Sequence, residues 1–178
     1  MAPIRIGIGG DRSGSGKTLT ASRLLGRLRG WGAIKCSPST LYTSVIDDPG
    51  TLGEPGKDTA RYLEAGASEV VWVRAPRADI DEPLSIAQGK LSHLEGIVIE
   101  GNSAAETLKE SPDVIIFIVS GGGKDIKNNT EGLLRRADVV LYHDEPPEFA
   151  PQGAGVFRLD DEGGFLDYVL RLIDGRKG

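Results

Sequence analysis

The stretch Ile4 to Thr18, IRIGIGGDRSGSGKT, constrains the fold more than any other part of the chain. Ile4, Ile6 and Ile8 alternate with Arg5 and Gly7, which predicts a short strand. Gly9 to Gly16 is a loop too rich in glycine to pack a core. Lys17 and Thr18 open a helical run with apolar residues at Leu19, Leu24, Leu25 and Leu28, read as a helix from Lys17 to Arg29 that stops at Gly30. Strand, glycine loop, Gly-Lys-Thr and helix is the pattern of a phosphate-binding P-loop. Glycines let backbone N–H groups turn around a phosphate without Cβ clashes. The helix N-terminus adds about half a positive charge. Gly10, Ser13, Gly14, Ser15, Gly16, Lys17, Thr18 and Leu19 are therefore the candidate nucleotide contacts. Lys17 is the group expected on the β- and γ-phosphates, and the Thr18 hydroxyl is a candidate Mg²⁺ ligand.

The rest of the chain alternates strand and helix signals. Strands are expected at 33–36, 69–74, 96–100, 113–119, 138–142 and 156–159. Helices are expected at 58–65, 84–94, 103–110, 130–136 and 165–173. The near-continuous apolar runs GIVIE at Gly96–Glu100 and DVIIFIV at Asp113–Val119 suit strands buried on both faces of a parallel sheet. The expected fold is α/β: a three-layer P-loop NTPase fold, with a mostly parallel sheet and helices on both faces. At 178 residues it is expected to be a single domain over residues 1–178. Residues 37–57, poor in apolar side chains and rich in Pro and Gly, read as a long functional or mobile connection.

Composition narrows the function classes. With 21 basic and 26 acidic residues the net charge is −5, against a general nucleic-acid binder. The single cysteine, Cys36, excludes an internal disulfide framework and a cysteine-rich zinc site. No apolar run approaches the ~20 residues of a membrane span, and no signal peptide is seen, so a soluble cytoplasmic protein is expected.

Several side chains are candidates for chemistry beside the glycine loop. Glu100 ends a buried strand at the carboxyl edge where open α/β sheets bind ligands, and is a candidate Mg²⁺ ligand and catalytic acid. Asp47 and Asp48 lie in the long connection, where a carboxylate can serve the metal or the attacking water; Asp-Pro-Gly is equally good turn chemistry. Asp58 follows the Pro55-Gly56 turn and is either a catalytic, ligand-facing group or a helix cap. Cys36 reads first as a small core residue, and His93 and His143 as isolated histidines. Gly121 to Lys124 is either a second anion nest or an exposed loop.

The loop reads G-x-x-x-G-x-G-K-T, with Asp11 where the strict pattern has glycine and Gly10 one place earlier. This spacing resembles dethiobiotin synthetase and the cobyrinate amidotransferases. EPGKDTARYLEAGA at Glu54–Ala67, with Ile34-Lys35 before it and IEG at Ile99–Gly101 after it, resembles the molybdopterin-guanine dinucleotide biosynthesis protein B (MobB) family over about the first hundred residues. That family has an Ile-Lys-His strand end, P-G-K-D-[ST] followed by A-G-A, and V-E-G-F. Cys36 stands here for its His, and Asn102 for its aromatic residue. IIFIVSGGGKDIKNNTEGLLRRADVVLY resembles the nickel-insertion GTPases, but their guanine-reading N-K-x-D falls on Tyr142, His143, Asp144 and Glu145.

The MobB resemblance implies Mg²⁺-dependent binding and slow hydrolysis of GTP or ATP in an accessory role for molybdenum cofactor biosynthesis. It also implies a homodimer, with Arg12 a candidate to reach the partner's nucleotide, and a cofactor-biosynthesis enzyme as a further partner. The missing Asn-Lys pair implies weak discrimination between GTP and ATP. The dethiobiotin-like spacing keeps open an ATP-dependent small-molecule synthetase or kinase, and a non-catalytic nucleotide-dependent adaptor is the third reading.

Overall fold

The computed structural model describes residues 2–108, 113–121, 126 and 128–177. The strands are β1 (Ile4–Gly10), β2 (Gly32–Pro38), β3 (Ser44–Ile46), β4 (Val70–Ala75), β5 (Gly96–Glu100), β6 (Val114–Val119), β7 (Val139–Tyr142) and β8 (Gly155–Arg158). The helices are α1 (Lys17–Arg27), α2 (Pro49–Leu52), α3 (Asp58–Ala65), α4 (Asp81–Lys90), α5 (Asn102–Thr107), α6 (Asn128–Leu134) and α7 (Glu162–Arg176). The described strands form one eight-stranded sheet in the order β3-β4-β2-β5-β1-β6-β7-β8. Only the edge strand β3 runs antiparallel, paired with β4 through Ser44↔Arg74 and Ile46↔Trp72.

Side-chain alternation explains why helices cover both faces. On β6, Val114, Ile116 and Ile118 enter one core, while Ile115, Phe117 and Val119 enter another. The first core packs against Leu24 and Leu25 of α1, Tyr62 of α3 and Phe165 of α7. The second packs against Leu84 of α4, Ala105 of α5 and Leu133 of α6. Every residue of β6 is buried, as a central strand with two covered faces requires. Among the described residues, no helix is long and apolar enough to cross a membrane.

The connection over residues 37–57 differs from the expected loop. It contains β3, and Asp48-Pro49-Gly50 opens the short helix α2 rather than a free turn. Asp48 Oδ2 accepts from the Thr51 N–H at 2.8 Å, and Pro49 begins the helix, where its missing N–H costs nothing. Asp58 does not cap α3: Lys57 is the cap residue, and Asp58 sits in the first turn. Gly121 is exposed, and the rest of the candidate anion nest up to Lys124 lies outside the described residues.

Strand order positions the site. β1 lies between β5 and β6; β2 and β4 continue to one side, β7 and β8 to the other. The carboxyl end of β1 is thus the topological switch point, where the connecting segments diverge and leave a crevice. The glycine loop leaves β1 at that point. Immediately beside it, Gly101 follows β5 at φ 140°, and a Cβ there would lie 2.8 Å from the Cys36 carbonyl oxygen. Only glycine lets β5 and β2 finish this close together.

Candidate functional site at the carboxyl edge of the sheet

Register brings four side chains into one row. Ile8 pairs with Glu100, Glu100 with Lys35, and Lys35 with Trp72, across β1, β5, β2 and β4. Ile8 and Trp72 belong to the face covered by α1 and α3, so Glu100 and Lys35 stand in the same row between them. Glu100 is 2% exposed. A buried carboxylate needs charge partners and hydrogen-bond donors, and three donors converge on its Oε2. Lys35 Nζ lies at 2.7 Å and Thr18 Oγ1 donates at 3.2 Å. The Tyr62 hydroxyl, buried on α3, donates to the same oxygen.

Lys35 bridges to a second carboxylate, with Nζ 2.7 Å from Asp58 Oδ2. Burial pulls the Lys35 pKa down, but Glu100 and Asp58 outweigh it and hold it above the ordinary lysine value. Burial acts to raise the Asp58 pKa, and the Lys35 and Thr18 hydrogen bonds prevail and lower it. Burial, and then the neighbouring Glu100, push the Tyr62 hydroxyl well up, so it stays a donor. For Lys17 desolvation prevails and lowers the pKa, opposed by Glu100.

The glycine loop is tethered at several points. Asp11, 6% exposed, accepts from the Ser120 N–H at 2.8 Å and from Ser120 Oγ at 3.0 Å, tying the loop to the end of β6. That is the structural reason an aspartate occupies a position where glycine was expected. Asn102 Oδ1 accepts from the Gly10 N–H at 2.8 Å, and its Nδ2 donates to the Gly10 carbonyl at 2.9 Å. Its amide mimics a strand neighbour for the last residue of β1. His143 Nε2 lies 2.7 Å from the Ser15 carbonyl. A carbonyl only accepts, so this nitrogen carries the proton. Lys17 spans the loop, with Nζ donating to the Arg12 carbonyl at 2.9 Å. Gly16 takes φ 105° as the residue before α1, and no side chain caps the helix there.

Ser13, Gly14, Gly16, Lys17, Thr18 and Leu19 line a cavity of about 360 Å³ together with Lys35, Asp58, Arg61 and Glu100. The expected nucleotide contacts, Glu100 and Asp58 thus share one crevice. Ser15 is buried within the loop, and Gly10 is held beneath it by Asn102. Asp47, expected among the metal ligands, is elsewhere. It is exposed and pairs with Lys90 of α4 at 2.7 Å, which holds its pKa down. Asp48 is occupied at the start of α2. Cys36 is buried, and desolvation pushes its thiol to about 12, so it is no nucleophile at neutral pH. His93 pairs with Glu69 at the exposed end of the molecule's β4 entry.

Among the described residues, no three His, Cys, Asp or Glu side chains form a metal cage. The donor set near Thr18 has a different character. The Thr18 hydroxyl donates to Glu100, and Asp58 lines the same cavity. Hard oxygens from one or two carboxylates suit Mg²⁺, which keeps several waters. Lys35, Tyr62, Asn102 and His143 were not read as site residues, because each acts through a partner far away in sequence. Compared with family models and with curated protein sequences, the chain matches none.

Because Asn102 satisfies both backbone groups of buried Gly10, Asn102→Ala leaves a buried N–H without its partner. The expected cost is about 2 kcal/mol of stability, with weaker phosphate binding because the loop entry is released. Urea unfolding of the two proteins measures the first, and calorimetric titration with nucleotide the second.

Proposed function

We propose that this chain binds a purine nucleoside triphosphate with Mg²⁺ in the glycine-loop crevice and hydrolyses it slowly, as a P-loop NTPase of MobB-like type. The observation that carries this reading is the convergence of Lys17, Thr18, Glu100 and Asp58 on one cavity at the carboxyl end of β1. On this reading the loop N–H groups and Lys17 hold the β- and γ-phosphates. Thr18 and Glu100, with Asp58 beside them, would hold Mg²⁺. When bound, the ion neutralises charge across the phosphates. Hydrolysis forms a bond from a water oxygen to the γ-phosphorus while the bond to the β,γ-bridging oxygen breaks. Such a reaction needs positioning and charge neutralisation more than covalent help. Asp58, held ionised by Lys35, is suited to orient that water.

The MobB resemblance extends the proposal to an accessory role in molybdenum cofactor biosynthesis, in the cytoplasm, as a homodimer working with a cofactor-biosynthesis enzyme. Arg12, half exposed within the loop, is available to reach a partner's nucleotide. One observation favours a second reading, an ATP-dependent synthetase or kinase: a further cavity adjoins the first at Lys35 and Asp58.

Thermal unfolding tests the nucleotide site. A ligand present at 100 times its Kd adds about 2.7 kcal/mol, which is roughly 5–10 °C in Tm for a domain of this size. Both ATP and GTP with Mg²⁺ are expected to give such a shift. If neither triphosphate nor its diphosphate moves Tm at millimolar concentration, the proposal fails.

A further inference from the structure

The adjoining cavity measures about 240 Å³ and is walled by Trp72, Lys57, Ser37, Gly56 and Thr59, with Lys35 and Asp58 on the side shared with the nucleotide crevice. It is smaller than the roughly 300–1,000 Å³ typical of sites for drug-sized ligands, a size that suits a small molecule. Its charged lining is two lysines, Lys35 and Lys57, and one carboxylate, Asp58, and Arg74 stands just outside it beside Trp72. Lys57 Nζ lies 5.2 Å from the centre of the Trp72 ring, and the Arg74 guanidinium lies 5.1 Å from the same ring. Arg74 also stacks on Tyr42 at 4.7 Å and has no carboxylate partner among the described residues. Lys57 pairs with Glu54, whose side chain is 56% exposed; such pairs hold their partners weakly.

Trp72 sets the chemistry further. An anion beside an indole face is repelled by the ring's quadrupole unless cations are there to reverse the field. Two cations are. The Trp72 Nε1–H donates to Ser37 Oγ at 3.0 Å, which leaves the Ser37 hydroxyl hydrogen free to donate to a ligand. An anionic group thus meets ammonium, hydroxyl and a half-buried apolar wall within one small space.

We propose that this cavity is a subsite for a small organic carboxylate, bound beside the nucleotide. The inference deepens the nucleotide reading and takes its position from it, because Lys35 and Asp58 belong to both cavities. The carboxylate sits against Lys57 and Ser37, and its carbon chain lies along the Trp72 indole.

Trp72 is its own reporter, since the other tryptophan, Trp31, is buried in the core. The test titrates the full-length protein with succinate and with glutarate at constant ionic strength, with and without a non-hydrolysable ATP analogue and Mg²⁺. Indole emission is followed, and calorimetry runs in parallel. The expected result is a saturable emission change with a millimolar midpoint, matched by a saturable heat of binding whose midpoint rises in Trp72→Phe. Lys57→Glu is expected to raise the midpoint by about tenfold, and Lys57→Gln by less. All three variants should stay folded and keep the wild-type stabilisation by nucleotide, measured as the Tm shift relative to each variant's own free form. Non-saturable emission together with no heat of binding overturns the subsite. So does a midpoint unchanged in Lys57→Glu, or the loss of nucleotide stabilisation in that variant, which would make the two cavities one. Succinate binding in a protein that ignores nucleotide would sink the nucleotide proposal and leave the subsite standing.

Discussion

Replacing Lys17 by alanine is expected to remove tight triphosphate binding while the protein stays folded. Lys17 is the cation at the loop's end of the crevice, and its Nζ makes two hydrogen bonds, to the Arg12 carbonyl at 2.9 Å and a long one to Ser15 Oγ at 3.5 Å. The ammonium has three donors, so one is free for a phosphate oxygen and the long bond to Ser15 can be exchanged for a second. Burial already depresses its pKa; the charge is held partly out of water before any ligand arrives. A triphosphate would relieve that by supplying the counter-charge. Losing such a paired, partly desolvated charge costs about 2–5 kcal/mol of affinity. That is a weakening of between about 30-fold and a few thousandfold. The free protein loses two hydrogen bonds, one of them long, so its stability should fall by about 1 kcal/mol. Calorimetric titration and urea unfolding of the same preparation separate the two effects. Wild-type affinity in the mutant would show that phosphate is not bound at this loop.

The elements legible in the sequence are those whose pattern is local. β5 occupies Gly96–Glu100 and α3 Asp58–Ala65, the bounds expected from an apolar run and from a Gly66 stop. The glycine loop and the start of α1 are equally plain, because few structures other than a turn around backbone donors accept so many glycines. β3 escaped notice because it is a three-residue antiparallel edge strand whose residues are all half-buried, so it shows no alternation. α2 escaped because Asp-Pro-Gly supports both a turn and a capped helix start, and only the Asp48–Thr51 hydrogen bond decides.

The site divides in the same way. Lys17 and Thr18 are readable from their neighbours, and Glu100 from its place at a strand end. The Lys35–Glu100 pair joins residues 65 positions apart and exists only through the β2–β5 register. Asn102 stood out as an odd residue, but its task depends on Gly10, 92 positions earlier. Asp47 shows the reverse case. Its composition suited a metal, and the fold commits it to Lys90, 43 positions later.

Glu100→Gln is expected to have two effects, one of which the sequence did not suggest. From sequence, Glu100 was expected to serve the metal. In the structure Glu100 is also a buried counter-charge: it is 2% exposed and its Oε2 gathers Lys35, Thr18 and Tyr62. Glutamine keeps the size and one acceptor oxygen but removes the charge. Lys35 then retains only Asp58, whose side chain is 35% exposed. Removing one partner of a buried pair costs about 3–5 kcal/mol; with Asp58 still in place, about 3 kcal/mol of apo stability should be lost. The second effect is on the metal. A carboxylate that ligates Mg²⁺, or holds one of its waters, cannot be replaced by a neutral amide. Mg²⁺-dependent triphosphate binding should therefore fall, while diphosphate binding without Mg²⁺, which rests on the loop and Lys17, should change little. Urea unfolding measures the first effect, and nucleotide titrations with Mg²⁺ or with a chelator measure the second. A Glu100→Gln protein that loses stability but keeps the full Mg²⁺ dependence would make Glu100 a core counter-charge only. The hydroxyl of Thr18 and the carboxylate of Asp58 would then be the groups left to hold the ion.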